Sequence, residues 1–199
     1  MRQCVVVGDY VTPTEVLAEV WAEDLPEGDR EALVATVRDA FVLAQERSLV
    51  QDVAFSVRQL SDIALKGLSP GINDPSTAEN AMDAMTAVII HFARSEQPCE
   101  LRVDGAAKPR FVARVADLND VVRLGFAQVR VFAAADPVAS VRMLVLLERI
   151  SRAAREVGLD HAEVTRQAAL LSEGAAGEAP TVEDANQVRQ AHARLHPRA

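Results

Sequence analysis

The segment Leu68-Ser-Pro-Gly-Ile-Asn-Asp-Pro75 decides the fold, since it joins two amphipathic helical patterns, and we call it the connection. Pro70 and Gly71 suit the two central positions of a type II turn, and Pro75 suits the first position of a helix. Asp74 would then be the N-cap, with its carboxylate accepting amide hydrogen bonds from the first turn at the positive end of the helix dipole. The connection therefore predicts a tight turn between two helices.

Apolar residues at helical spacing predict a helix on each side of the connection. The preceding pattern runs from Val50 to Leu68, and the following one runs from Pro75 to a point before Pro98. Capping residues and the same spacing predict the other helices. These cover about 29–44, 117–134, 136–157 and 160–173, with a last helix capped by Thr181.

Alternating patterns predict two small β elements in an otherwise helical chain. The segments 4–7 and 16–21 predict strands of an N-terminal β unit. The segments 99–103 and 111–115 flank a turn signal at Asp104-Gly105 and predict a hairpin. The predicted fold class is therefore mainly α, a multi-helix domain with a small N-terminal β unit and one β-hairpin as a minor α+β component.

Length and composition predict one main domain with two smaller parts. A chain of 199 residues, 49% of them apolar, is long enough to bury a sizeable core. The segment from Gly174 to Pro180 is rich in small residues and predicts a linker. The predicted parts are a small β unit at 1–26, a helical core domain at 27–173 with the hairpin at about 99–115, and a linker with a peripheral C-terminal helix at 174–199.

The composition also excludes several classes of function. A formal net charge of −8 means that duplex nucleic acid would on balance be repelled, so no nucleic-acid partner is predicted. Cys4 and Cys99 lack the spacing of a metal site or a disulfide framework, which favours a reducing cytoplasm. The longest nearly apolar run, Ala84 to Ala93, is far shorter than the roughly 20 residues that cross a bilayer. We therefore expect a soluble chain.

Polar residues in and beside the connection predict a ligand site. Those on the preceding helix recur at helical spacing, so they share the side that leads to the connection. Carboxylate, amide and hydroxyl oxygens suit a divalent cation or a small polar molecule, and no other cofactor is predicted. The candidate ligand-binding residues are Asp52, Gln59, Asp62, Asn73, Asp74 and Thr77.

Structural interpretations of the same residues stay open. Arg58 can pair with Asp62 at i, i+4 on a solvated helix face. Asp136 precedes a proline in the same way as Asp74, with nothing functional around it. An enzyme that uses Asp52 or Asp74 as a general base ranks last, because no nucleophile or metal cluster accompanies either residue. No catalytic residue is therefore predicted.

The residues around the connection resemble the signature of one family. The similarity is dense over about 44–83, and beyond this region it is one of pattern only. The family is the domain-of-unknown-function 2254 family of bacterial predicted membrane proteins. The segments that resemble it are Gln51-Asp52, Arg58-Gln59-Leu60, Asp62-Ile63-Ala64, the connection with Thr77-Ala78, and Gly8-Asp9-Tyr10-Val11 upstream.

The resemblance implies a context and assigns no site residue. Members of the family carry transmembrane helices ahead of this region, so we expect the water-exposed portion of a membrane protein at the cytoplasmic face of the bacterial inner membrane. The expected partners are its own or a neighbouring membrane segment and further copies of the chain. Two hypotheses follow: a sensory or assembly module that binds a small polar ligand or cation, or a purely structural oligomerisation module.

Overall fold

A computed structural model describes residues 1–21, 26–47, 52–97 and 99–195 of the chain. This part contains seven α-helices and a four-stranded sheet, which confirms the predicted mainly α class with a minor β component. The chain forms two compact units, and the predicted hairpin belongs with the N-terminal residues. Unit 1 comprises Met1–Asp52 and Pro98–Val115, and unit 2 comprises Val53–Gln97 and Ala116–Ala199.

The sheet of unit 1 is small and mixed. Its strands are β1 (Arg2–Gln3), β2 (Ala18–Glu19), β3 (Leu101–Val103) and β4 (Pro109–Val112), in the order β2-β1-β4-β3. Strand β1 pairs antiparallel with β2 and parallel with β4, and β3 and β4 form the predicted hairpin.

The strand predicted at 4–7 is wrong, because strand β1 ends at Gln3 and the chain bends after Cys4 into a turn at 6–9. The N–H of Asp9 donates to the carbonyl of Val6 at 3.1 Å, and the Asp9 carboxylate accepts from the N–H of Val6 at 2.8 Å. Gly8 has a φ of 89°, a left-handed conformation that glycine adopts without strain. The β-branched run therefore leads into a turn instead of extending strand β1.

Unit 1 also contains the first helix, α1 (Glu27–Asp39), which follows Pro26 and is shorter than the predicted 29–44. None of its residues is buried, although its apolar residues recur at helical spacing. Leu33 and Val37 are half-buried, and Val34 is exposed. The apolar face of α1 therefore remains largely open within unit 1.

Unit 2 is a bundle of six helices around one apolar core. Helix α2 packs against α3 and α4, α3 packs against α5, α4 packs against α6, and α5, α6 and α7 pack against one another. The start predicted at Val50 for α2 lies outside the described residues. The helices are α2 (Val53–Leu68), α3 (Pro75–Arg94), α4 (Leu118–Ala133), α5 (Pro137–Glu156), α6 (Ala162–Glu178) and α7 (Val182–Ala193).

A glycine allows three helices of unit 2 to approach closely. A Cβ atom at Gly125 would lie 2.7 Å from Sδ of Met85 and 2.9 Å from Cγ1 of Val57, closer than carbon side chains pack. The hydroxyl of Ser61 donates to the carbonyl of Gly125 at 2.9 Å and is itself buried. Helix α4 therefore lies directly against α2 and α3.

The small-residue segment predicted as a linker is helical. Helix α6 continues through Gly174 and Gly177 to Glu178, because the alanines between and beside these glycines are strong helix formers. Helix α7 packs on α5 and α6 instead of lying at the periphery. Its small apolar stripe is buried, with Val188 fully enclosed. Residues 196–199 of the predicted C-terminal part lie outside the described residues.

Candidate functional site

The connection folds on itself through main-chain hydrogen bonds. The N–H groups of Ile72 and Asn73 both donate to the carbonyl of Ser69, at 3.1 and 2.8 Å. Asn73 is left-handed, with a φ of 47°, whereas Gly71 does not have a positive φ. The predicted type II turn is therefore wrong, since that turn requires a positive φ at Gly71. Asparagine takes the left-handed position because its short polar side chain tolerates this conformation.

The two helices that flank the connection meet at a second glycine. The N–H of Asp74 donates to the carbonyl of Gly67 at 2.8 Å and so closes the loop. A Cβ atom at Gly67 would lie 2.8 Å from the carbonyl oxygen of Asp74 and 3.0 Å from Cβ of Ala78. Only a residue without a Cβ fits here unless α2 and α3 move apart.

Asp74 caps helix α3 with both carboxylate oxygens, as predicted. Oδ1 accepts from the N–H of Thr77 at 3.1 Å, and Oδ2 accepts from the Thr77 hydroxyl at 2.6 Å. The hydroxyl hydrogen bond, followed by the amide hydrogen bond of the same threonine, lowers the pKa of Asp74. A carboxylate with a lowered pKa is a weaker proton acceptor, which counts against a general-base role for this residue.

Gln59 and Asp62 lie on the exposed side of α2. The guanidinium of Arg58 lies 3.8 Å from the Asp62 carboxylate, the i, i+4 pair that the structural interpretation anticipates. Within the described ranges, neither Gln59 nor Asp62 forms a hydrogen bond or ion pair with the connection or with Thr77. The structure therefore brings together the candidates of the connection and leaves the two residues of α2 apart from them.

Asp52 belongs to unit 1 and is held by an arginine. Its Oδ2 accepts from Nη2 of Arg47 at 2.6 Å and from Nε at 2.8 Å, and its side chain is only 5% exposed. A Cβ atom at Gly8 would collide with this carboxylate and with the guanidinium, so the turn at Gly8 lies directly against the ion pair. The sequence reasoning missed Arg47. The one signal in the sequence that points to this cluster is that Gly8 and Asp52 both occur in segments of the family signature.

Metal-binding side chains are not clustered in the part of the chain that the structure describes. It contains no group of three or more histidine, cysteine, aspartate or glutamate residues placed to hold a metal ion. A cation at the connection would therefore depend on the oxygens of Asn73 and Asp74 and on main-chain carbonyls, the ligand type that calcium and magnesium prefer.

The fold and the connection define a mainly α protein in which the first two helices of the bundle, α2 and α3, meet at Gly67. The chain belongs to the DUF2254 family, described as predicted membrane proteins, whose model matches residues 1–149. Proteins of Mycobacterium bovis and of two strains of Mycobacterium tuberculosis, described as uncharacterised, are 32% identical over 151 residues, or 73% of this chain.

The chain spans 28% of the length of these curated relatives. No solved structure matches it. Among the described residues, no helix combines the length and the apolar composition that a membrane crossing requires.

Substitution of Gly67 by alanine tests the closure of the connection. Because the added Cβ overlaps the Asp74 carbonyl, we expect Gly67→Ala to lower the free energy of unfolding in urea by about 1–3 kcal/mol. The matched control is Gly71→Ala, since a Cβ there meets nothing within 4 Å. We expect that control to stay within about 0.5 kcal/mol of the wild type. Equal losses in the two variants would contradict the closure.

Substitution of Asp74 tests the cap and its charge. Asp74→Ala should lower Tm, and Asp74→Asn should lower it less, since asparagine is also a good N-cap. The lowered pKa of Asp74 means that the charged form stabilises the fold above its ordinary pKa of about 3.9 and loses this effect as the pH falls through the lower folded value. Calorimetry from pH 2.5 to pH 7 should therefore show the Tm gap between wild type and Asp74→Asn narrowing in acid. A gap independent of pH would show that the charge contributes nothing.

Proposed function

We propose that this chain is an assembly or sensory module of a membrane protein, placed at the cytoplasmic face of the bacterial inner membrane. Its partners in this proposal are a membrane segment of its own or a neighbouring polypeptide and further copies of the chain. Membership of a predicted membrane protein family supports the association with a membrane. The observation that carries the assembly role is the shape and chemistry of the connection.

The connection forms an exposed tip that is bonded internally. Ile72 is 60% exposed at this tip, and Pro70, Gly71 and Asn73 beside it are also exposed. The main-chain bonds to Ser69 and the closure at Gly67 already hold the tip in one conformation. A rigid tip with an apolar side chain loses little conformational entropy when another protein covers it. These features support protein contact as its role.

Substitution of Ile72 tests assembly through the tip. If copies of the chain associate here, Ile72→Asp should raise the dissociation constant of the oligomer by about tenfold or more, because a charge replaces an apolar anchor. Analytical ultracentrifugation over a concentration series measures the constant. The control is Val182→Asp on helix α7, which changes a more exposed valine (78%) of the same unit. A monomeric wild type, or equal weakening by both substitutions, would refute self-assembly through the tip.

A small polar ligand or a divalent cation at the connection is the second candidate. The Asp74 carboxylate is charged at neutral pH, as aspartates ordinarily are, and the exposed Asn73 amide is its neighbour in the chain. Both Asp74 oxygens already accept hydrogen bonds from Thr77, so a cation would have to share them. This sharing favours weak binding, in the range of about 0.1–1 mM seen for less rigid calcium sites.

Thermal-shift measurements with Ca²⁺ and Mg²⁺ at millimolar concentrations test this candidate. We expect a rise in Tm for the wild type that Asp74→Ala abolishes, since ligand binding to the folded state raises its stability. Asp117→Ala is the control, because Asp117 is another exposed capping aspartate of the same unit. A shift that persists in Asp74→Ala, or no shift in any variant, would remove the cation from the proposal.

The cytoplasmic placement rests on two free thiols. Cys99 is exposed and Cys4 is half-buried, as expected for thiols in a reducing compartment. In cells that produce the Cys4→Ser variant, a membrane-impermeant maleimide should label Cys99 only after the cells are permeabilised. The double variant with Cys4→Ser and Cys99→Ser provides the unlabelled background. Labelling of Cys99 in intact cells would place the module on the opposite side of the membrane.

A further inference from the structure

Unit 1 contains an apolar cleft to which none of the functions above assigns a role. The cleft has a volume of about 500 Å³, within the usual range of small-molecule sites. One wall is helix α1 with Phe41 after it, and the other is the segment around strand β2. The apolar residues that line it are Val16, Leu17, Ala18, Val20, Leu33, Val34, Val37 and Phe41.

Among the described residues, the charged side chains that line the cleft are those of two arginines. Arg30 and Arg38 lie on the same face of α1 as Val34, at spacings i, i+4 and i+8, about two helical turns from one end to the other. Arg38 pairs with the adjacent Asp39 on the surface. Arg30 forms no ion pair within the described residues. The described lining therefore offers positive charge to a ligand, in a chain whose formal net charge is −8.

We propose that this cleft binds a single-chain anionic amphiphile, a long-chain carboxylate. The hydrocarbon chain would lie between α1 and the β2 segment and cover apolar residues that unit 1 leaves open. The carboxylate would pair with Arg30, whose planar guanidinium matches a carboxylate with two parallel hydrogen bonds. The combination of apolar walls and arginine favours this ligand, since a neutral alkane would gain nothing from the exposed guanidinium and a cation would be repelled.

Binding of dansyl-labelled undecanoate to the full chain tests the proposal. Trp21 is the single tryptophan and directly follows the cleft-lining Val20, so energy transfer from its indole to the dansyl group reports occupancy of this cleft. We expect saturable binding below the critical micelle concentration, with competition by laurate and none by dodecyltrimethylammonium. Absence of saturable binding, or equal competition by the cationic amphiphile, would overturn the proposal.

Two pairs of variants separate the head-group contact from the chain contact. Arg30→Glu should weaken binding by about tenfold or more, because repulsion replaces attraction, while Arg102→Glu on strand β3 should not. Val34→Asp should abolish binding, while Val103→Asp should leave it unchanged. Since α1 contains no buried residue, the substitutions on it should leave the circular dichroism spectrum unchanged. Equal effects within either pair would contradict the proposed site.

Two further results would assign the cleft to another occupant. The first comes from sedimentation with and without laurate. If the wild type is a dimer that Val34→Asp dissociates, and no amphiphile binds, the occupant of the cleft is a second copy of the chain. Binding to vesicles of anionic phospholipid, in the absence of binding to the free carboxylate, would make the ligand a membrane surface. Either result would overturn the proposal for a single-chain carboxylate.

Discussion

The hydrogen bond from the N–H of Asp74 to the carbonyl of Gly67 sets the geometry on which the rest of unit 2 depends. It forms only because Gly67 has no side chain, so that α3 can begin against the last turn of α2. Helix α3 then carries Met82, Met85 and Ile89 into the core, where all three are fully buried. A second glycine contact, between α4 and these two helices, completes the close packing. Interiors are packed densely enough that such contacts cannot shift independently.

The carboxylates of the family signature mostly serve the fold. Asp74 caps α3 by accepting hydrogen bonds from Thr77, and Asp52 pairs with Arg47. Asp62 lies beside an arginine of its own helix. The hydrogen bonds of Asp74 stabilise its charged form and lower its pKa, which makes this carboxylate a poor catalytic base. What the connection offers to a partner is instead its exposed surface around Ile72. This arrangement supports the proposed assembly role of the connection.

The two units differ in how far they bury their apolar residues. Unit 2 encloses a continuous core, whereas helix α1 of unit 1 has no buried residue and borders an open cleft. A helix as short as α1 gains most of its stability from packing of its apolar face, so an occupant of the cleft would stabilise it. The chain spans 28% of the length of its curated relatives.

The sequence by itself determined most helices of unit 2, because caps and apolar periodicity act within a few residues of the chain. The caps predicted correctly are those at Asp74, Asp117, Asp136 and Thr181. Only the tertiary structure decided that the ion pair of Asp52 and Arg47 lies against Gly8. It also decided that Asn73 is left-handed and Gly71 is not. It also decided that the face of α1 stays open and that α7 is packed. The left-handed Asn73 follows from hydrogen bonds within the connection, which a preference for a turn type does not specify. The contact of Gly8 with the Asp52–Arg47 pair and the packing of α7 join residues far apart in the chain, and local patterns carry no information about which distant residue becomes the partner.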